Sequence, residues 1–407
     1  MKTTRYTYSK LFKHIYTFRG FRHKTINHQN NKVYIHLKRT WKKGICRNCG
    51  KRTTILKESH QRTIRDLDLG PLTCYLTFNE HKLYCSCGYR GFETIFFCRP
   101  FARCTIRYEK YIVRLTERMT ISDVSLISDL NWKTVKDIDK YYIKERLIGI
   151  KDITPRRLGI DEVAYEKGHK YLTVVRDLDL NQVIWIGVDR KRQTLDSFFT
   201  ILGKEKQRLI TVVVLDMWDP YITSIHQFCP TADIVFDKFH IIKKINDALD
   251  KIRRDEFAKA KNEERLRMKR KRFIILKRKK NLTENQQEQL QQLMEQNKPL
   301  YKGYLLKEQI SDIFDEESYT QAMQRLQKWI ENVHESGLSS FKPVLKTFKR
   351  YSYGIQNYFL HHLTNAGSEG FNTKINIIRR KAYGFWDLDY FMLKIYQACG
   401  VMKIETT

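Results

Sequence analysis

Ile210-Thr-Val-Val-Val-Leu215 is a near-continuous apolar run that ends on a carboxylate, Asp216. Runs of this kind are what parallel strands buried on both faces show. A second short apolar strand, Arg157-Leu-Gly-Ile-Asp161-Glu162-Val-Ala-Tyr165, carries a carboxylate at its middle, right after a glycine that lets other backbone approach closely. Tyr171 to Arg176 and Val183 to Val188 read as two further strands, with Asp179-Leu-Asn181 as the turn between them. Leu195, Phe198, Phe199 and Leu202 recur at the spacing of one helix face and lead into the 210–215 run. Three strands, a crossover helix and a buried strand flanking the first would bring Asp161 and Asp216 together. The fold class this predicts is α/β.

With 407 residues the chain is long enough for two or three domains. Its formal net charge of +31 points to a polyanionic partner. Membranes are anionic too, but no apolar run approaches the roughly 18 residues of a spanning helix, and the first residues show no signal-peptide h-region. The expectation is a soluble cytoplasmic, nucleoid-associated protein with nucleic acid as its partner and no membrane. Residues 1–60 hold 16 Lys or Arg against a single acid, Glu58, with aromatics interleaved. That mixture predicts a nucleic-acid-contacting arm.

Nine cysteines, an odd number at irregular spacing, argue against a disulfide framework. Cys46-Arg-Asn-Cys49-Gly50 has the form of a zinc half-site, and Cys85-Ser-Cys87-Gly88 is its candidate partner, one residue short of the usual spacing. Arg62 to Asp68 between them would belong to a small β-rich ribbon. Structural Zn²⁺ is the expected cofactor here, while Cys74, Cys98 and Cys104 read as packing residues.

After Pro100 the pattern turns helical. Tyr108, Tyr111, Ile112, Leu115 and Met119 make one apolar face. Thr120-Ile-Ser-Asp123 is a capping-box signature opening a short helix with Val124 and Ile127 inward. Leu130-Asn131-Trp132 reads as a turn, and a third helix buries Val135, Ile138 and Tyr142 while Lys133, Thr134 and Lys136 face out. This is a helix-turn-helix plan whose last helix suits a major groove.

Past Asp216, Asp219-Pro-Tyr221 opens a helix, and a fifth strand, Ala232 to Phe236, runs into Asp237-Lys-Phe-His240. Asp237 and His240 are either a helix cap and a bystander or neighbours of the carboxylates. Residues 241–359 read as a charged helical insertion, with ten Lys or Arg and no acid between 265 and 280, expected to lie along DNA. Trp329 and Trp386 default to core positions. The chain then returns with Ser368-Glu369-Gly-Phe-Asn372, where Glu369, Asn372, Thr373 and Asn376 form a polar stripe beside Phe371, Ile375 and Ile378. Arg379-Arg380-Lys381 closes that helix, and Asn372, Asn376 and the basic triplet are candidate DNA contacts.

Asp161, Asp216 and Glu369 together suit phosphoryl transfer on DNA through two hard cations, Mg²⁺ or Mn²⁺, which prefer carboxylate oxygens. No phosphate-cradling GxxxxGK[ST] motif accompanies them. The whole pattern predicts an RNase H-like catalytic core interrupted by a long helical insertion, preceded by a zinc-ribbon-like region and a helix-turn-helix. The expected divisions are 1–100, 101–150, 151–240, 241–359 and 360–407. Leu-Gly-Ile-Asp161-Glu, Asp237-Lys-Phe-His240, Ser-Glu369-Gly-Phe-Asn and Arg-Arg-Lys-Ala-Tyr383-Gly, in this order, resemble the DDE transposases of the ISL-three insertion-sequence family. The resemblance spans nearly the whole chain. It implies DNA transposition, recognition of terminal inverted repeats and target DNA, Mg²⁺-dependent strand transfer, and a homodimer on DNA. It maps Asp161 and Glu369 as first and third acids. Asp216 fits the fold as the second, with Asp237 and His240 as an auxiliary pair, although Asp237 also fits a DxxH element of related transposases. A metal-dependent nuclease or junction resolvase on the same fold, and a DNA-binding regulator with an inactive core, are the competing readings.

Overall fold

The computed structural model describes residues 12–147, 149, 152–166, 168 and 170–402, without the side chains of 55–57, 262, 267, 366, 368 and 369. The chain divides into two compact units between residues 145 and 146.

In the first unit, strands β1 (Thr17–Phe18), β2 (Phe21–Gln29), β3 (Lys32–Arg39), β4 (Lys43–Ile45), β5 (Arg52–Arg65), β6 (Thr73–Tyr84) and β7 (Arg90–Phe92) make one sheet in the order β1-β2-β3-β6-β5-β4, with β7 also on β6. The basic N-terminal stretch is therefore not an arm from Thr17 onward. Val33, Ile35 and Leu37 alternate into a core with Phe21, Leu76 and Phe78, while Lys32, Tyr34, His36 and Lys38 take the other face of β3. Three helices follow: α1 (Ile106–Thr116), α2 (Ile121–Ser128) and α3 (Trp132–Arg146). Thr105 caps α1, and Thr120 with Asp123 forms the expected capping box of α2. Tyr108, Ile112, Val124, Val135, Ile138 and Tyr142 bury together. Tyr111 and Ile127, expected inward, are exposed. Asn131 caps α3 by accepting the Lys133 N–H, so Trp132 begins the helix rather than completing the turn.

The second unit is built on a five-stranded sheet: β8 (Arg157–Glu166), β9 (Lys170–Asp177), β10 (Gln182–Val188), β11 (Val212–Leu215) and β12 (Asp233–Phe236), in the order β10-β9-β8-β11-β12. The β8–β9–β10 meander is antiparallel, and β8, β11 and β12 are parallel. Helices α4 (Arg192–Leu202), α5 (Lys204–Gln207) and α6 (Asp219–Phe228) provide the crossovers. Leu195, Phe198, Phe199 and Leu202 of α4 join Leu158, Ile160 and Val213 in the main core. Val163, Leu172 and Val174 pack instead with Phe371, Ile375, Phe391 and Ile395 in a second apolar cluster. The sheet is covered by helices, which explains the unbroken apolar runs of its strands.

The helical stretch begins at Lys238 rather than at 241: α7 (Lys238–Lys259) follows β12 directly. Then come α8 (Asn262–Met268), α9 (Arg272–Leu276), α10 (Glu284–Gln296), α11 (Lys298–Ile313), α12 (Tyr319–Ser336), α13 (Lys342–Arg350) and α14 (Ser352–His361). α11 approaches α7 closely because Gly303 has no Cβ, which would sit 2.7 Å from Ile252 Cδ1. Part of the 265–280 basic run is engaged within the chain: Arg278 pairs with Asp312 and Asp315, and Lys280 with Asp315. The chain closes with α15 (Ala366–Lys381) and α16 (Leu388–Cys399). Trp386 is not a core residue: it is fully exposed in the loop between them.

Trp329 does take the core place expected of it, 1% exposed, with Nε1 donating to the Leu306 carbonyl at 2.8 Å. Trp329→Ala should cost about 3–5 kcal/mol, read as a lower urea midpoint by far-UV circular dichroism. An unchanged midpoint would contradict this packing.

Candidate active site and zinc centre

Backbone pairing places the acids. Val214 pairs with Gly159 on one side of β11, and Leu215 pairs with Phe236 on the other. Carrying both registers onward sets Asp216 level with Asp161 and with Asp237. Level residues of neighbouring strands project to the same face, so this register puts the three carboxylates on one side of the sheet, in what can be called an acid row.

Asp216, Asp237 and His240 offer ligand atoms that all lie within 4.8 Å of one another. His240 Nε2 lies 2.8 Å from Asp216 Oδ1. Asp237 also caps α7, accepting the Phe239 N–H at 3.2 Å, and is buried, whereas Asp216 is half-exposed. Asp161 Oδ1 accepts the Glu162 N–H at 2.7 Å, and its Oδ2 accepts the Asn372 side-chain amide at 2.9 Å. Asn372, a candidate DNA contact by sequence, is thus engaged with Asp161. Glu369 lies on the same helix, one turn before Asn372, and its side chain is outside the described residues.

Crowded carboxylates disfavour their own charged forms. Burial pushes the Asp161 carboxyl above its usual range and Asp216 adds to this, while the hydrogen bonds from Glu162 and Asn372 oppose it. Burial raises Asp237 too, against its cap bond to Phe239 and the opposing charge of His240. Burial would lower His240, but its hydrogen bond to Asp216 and the charge of all three acids hold the imidazole above its usual value. The row is a concentration of negative charge that a divalent cation would relieve.

The sequence reading missed two arginines beside this row. Arg190, in the loop after β10, lies 3.4 Å from Glu162 Oε2 and covers the rings of Tyr171 and Trp218 at 4.4 and 5.0 Å. Arg176, buried on β9, donates to the Asn365 side chain, whose amide donates to the Ile160 carbonyl at 3.3 Å. A lone arginine in the apolar run Leu172-Thr-Val-Val-Arg176 was the available signal. The remaining DNA candidates divide: Lys133, Arg380 and Lys381 are exposed, while Thr134, Lys136, Asn376 and Arg379 are half-buried. Lys136 approaches the Trp132 ring at 5.2 Å, and Arg379 donates to the Ala164 carbonyl at 2.8 Å.

In the first unit, two equivalent turns carry the cysteine pairs. The Gly50 N–H donates to the Cys46 carbonyl and the Gly88 N–H to the Cys85 carbonyl, both glycines having positive φ (69° and 84°). All four sulfurs lie within 4.8 Å, with Cys46–Cys87 at 3.7 Å and Cys49–Cys85 at 3.5 Å. Tetrahedral zinc with thiolates at its usual bond length requires sulfurs about 3.8 Å apart, so the donor set fits. The backbone N–H of Tyr89 lowers the Cys87 thiol to about 6, and that of Cys87 lowers Cys85. For Cys49 the Lys51 N–H acts in the same sense, but desolvation and the three other sulfurs raise the thiol to about 12. The short Cys85–Cys87 spacing does not prevent convergence, and the cluster supports structural zinc. Cys74, Cys98 and Cys104 are buried packing residues. Metal analysis should find one zinc per chain in the wild type and none in Cys49→Ser or Cys87→Ser. Full retention of zinc by either variant would contradict the four-thiolate assignment.

Residues 158–395 match the family model described as a transposase, of the DDE and ISL3 type. Residues 97–143 match the helix-turn-helix domain of transposase family ISL3, and residues 42–87 match the zinc-finger of transposase IS204/IS1001/IS1096/IS1165. The chain is 31% identical over 368 residues to the transposase for insertion sequence element IS1001 of Bordetella parapertussis, covering 89% of this chain and 91% of that one. It is 26% identical to the transposase for insertion sequence element IS1557 of Mycobacterium tuberculosis, covering 84% and 82%. The chain belongs to the ISL3 family of insertion-sequence transposases, DDE-type enzymes acting on DNA.

Proposed function

We propose that the second unit is an RNase H-like nucleotidyl-transfer core, formed by β8–β12 with α4–α6 and by α15 and α16, and interrupted by the helical insertion α7–α14 that begins at Lys238. An antiparallel meander followed by two parallel strands, with an acid in each of the three parallel strands or at its end, supports this reading. The carrying observation is the parallel register that, carried onward, sets Asp161, Asp216 and Asp237 level, with Asp216, Asp237 and His240 clustered at its end.

Asp161 and Asp216, with Glu369 as third acid, would hold two Mg²⁺ or Mn²⁺ ions, since a carboxylate-rich set suits hard cations. Bound there, the cations supply the positive charge that makes an oxygen nucleophilic at neutral pH and stabilises the leaving 3′ oxygen. The chain's own residues keep the acids aimed. Asn372 fixes the orientation of Asp161, and His240 fixes that of Asp216. At such exposure a charge pair contributes only about 0–1 kcal/mol to stability, so the role of His240 is orientation. Asp237, already spent on capping α7, serves as an auxiliary. Residues 1–100 and 101–150 address the DNA, with Lys133, Thr134 and Lys136 of α3 at the terminal inverted repeats. Joining two element ends to target DNA calls for a homodimer on DNA.

The test is Mg²⁺-dependent cleavage of a duplex carrying the element's inverted repeat. Asp216→Ala should reduce cleavage to background. Asp237→Ala should cost about 1 kcal/mol of stability through the lost cap and leave measurable cleavage. The opposite result would make Asp237 the second acid, and no end-specific cleavage by wild type would defeat the reading. Asn372→Ala should lower the cleavage rate about 10- to 100-fold with end binding unchanged. Equal loss of binding and cleavage would return Asn372 to the DNA-contact role.

A further inference from the structure

Tyr383 and Trp386 are fully exposed, unlike any other Tyr or Trp among the described residues. Their exposure is built in. The Gly384 N–H donates to the Arg379 carbonyl and the Tyr383 N–H to the Arg380 carbonyl, the paired bonds of a Schellman motif ending α15. The residue in the left-handed position of that motif is usually glycine, yet here it is Tyr383, with φ at 51°. A bulky side chain there is strained. On the other side, Asp387 caps α16 by accepting the Tyr390 N–H at 3.0 Å. Between the two caps Phe385 turns inward, its ring 4.8 Å from Phe391 and 5.8 Å from Tyr390. The loop is thus anchored by one aromatic ring and presents two others to solvent.

The loop also has an address. It follows Arg379-Arg380-Lys381 on the helix whose Asn372 touches Asp161. Nine residues of helix run from Asn372 to Lys381, about 14 Å at 1.5 Å per residue, and Tyr383 follows two residues later. A nucleic-acid strand rises about 3.4 Å per nucleotide, so the rings lie within about five nucleotides of the acids.

We propose that Tyr383 and Trp386 form a stacking platform for unpaired bases of the DNA strand processed at the acid row. Exposed ring faces beside a basic triplet match a strand with a charged backbone and open base faces. Paired DNA hides those faces in its stack and offers only base edges in its grooves. A second copy of this chain fits less well, because it would bring a further +31 of charge to an already basic surface. The proposal deepens the transposase reading, and its test is a binding measurement that stands apart from catalysis.

Fluorescence anisotropy would compare a labelled blunt duplex with the same duplex bearing an unpaired thymine tail, without added divalent cation. Trp386→Ala and Tyr383→Ala should each weaken binding of the tailed probe, with the double variant losing at least about tenfold. Binding of the blunt probe should be unchanged, and Trp386→Phe should retain tail binding. Because both side chains are fully exposed, the variants should keep the wild-type melting temperature. Equal losses on both probes, or no loss on the tailed one, would overturn the proposal. So would a DNA-free oligomer that dissociates in Trp386→Ala, which would make the loop a contact between copies. A tail-specific loss in a protein that fails to cleave would leave the platform standing and the catalytic reading defeated.

Discussion

The parallel pairing of β8, β11 and β12 is the constraint on which the rest depends. One register sets the whole row, since Val214 opposite Gly159 and Leu215 opposite Phe236 leave Asp161, Asp216 and Asp237 level. A slip of one residue in β11 would turn Asp216 to the other face. That slip is opposed by burial, because all four β11 residues are buried and would have to exchange partners together. The apolar run that a sequence reader notices first is thus what holds the charged row in place.

A second requirement is that α15, arriving after the long insertion, meet β8 at the right place. Asn365, just ahead of the helix, bonds to both Arg176 and the Ile160 carbonyl, next to Asp161. About two turns later Asn372 reaches Asp161 itself. Gly159 makes room, since a Cβ there would lie 2.8 Å from Asn365 Oδ1. Arg176 is almost wholly buried, and its Nε and Nη1 have no hydrogen-bond partner among the described residues. Burial lowers its pKa, while the charge of Asp161 and Asp237 favours the cation. A buried cation is costly in isolation, and the negative row next to it gives that charge a reason to be there.

Much of this was legible in the chain. The β-rich runs of the second unit, the α4 stripe, the Thr120 capping box and the glycine-flanked cysteine pairs were local signals, and local physics decides them. What was missed was mostly decided by distance. The partners Arg176 and Asn365 are 189 residues apart, and no periodicity announces such a pair. The parallel pairing of β3 with β6 gave the basic N-terminal stretch a sheet to join, while its charge drew attention away from Val33, Ile35 and Leu37. Trp386 misled for another reason: preference for the core is a property of tryptophans on average, whereas the caps around residues 383–387 fix this one outward. Tyr111 and Ile127 follow helical spacing but fall at the edge of a narrow three-helix core.

The central claim is that the acid row is a cation site shared by Asp161 and Asp216. Anomalous scattering from crystals of the protein bound to DNA ends in the presence of Mn²⁺ addresses it most directly. The account predicts an anomalous peak between the Asp161 and Asp216 carboxylates. A peak held by Asp237 and His240 without Asp161, or an empty row in a DNA-bound complex, would contradict it.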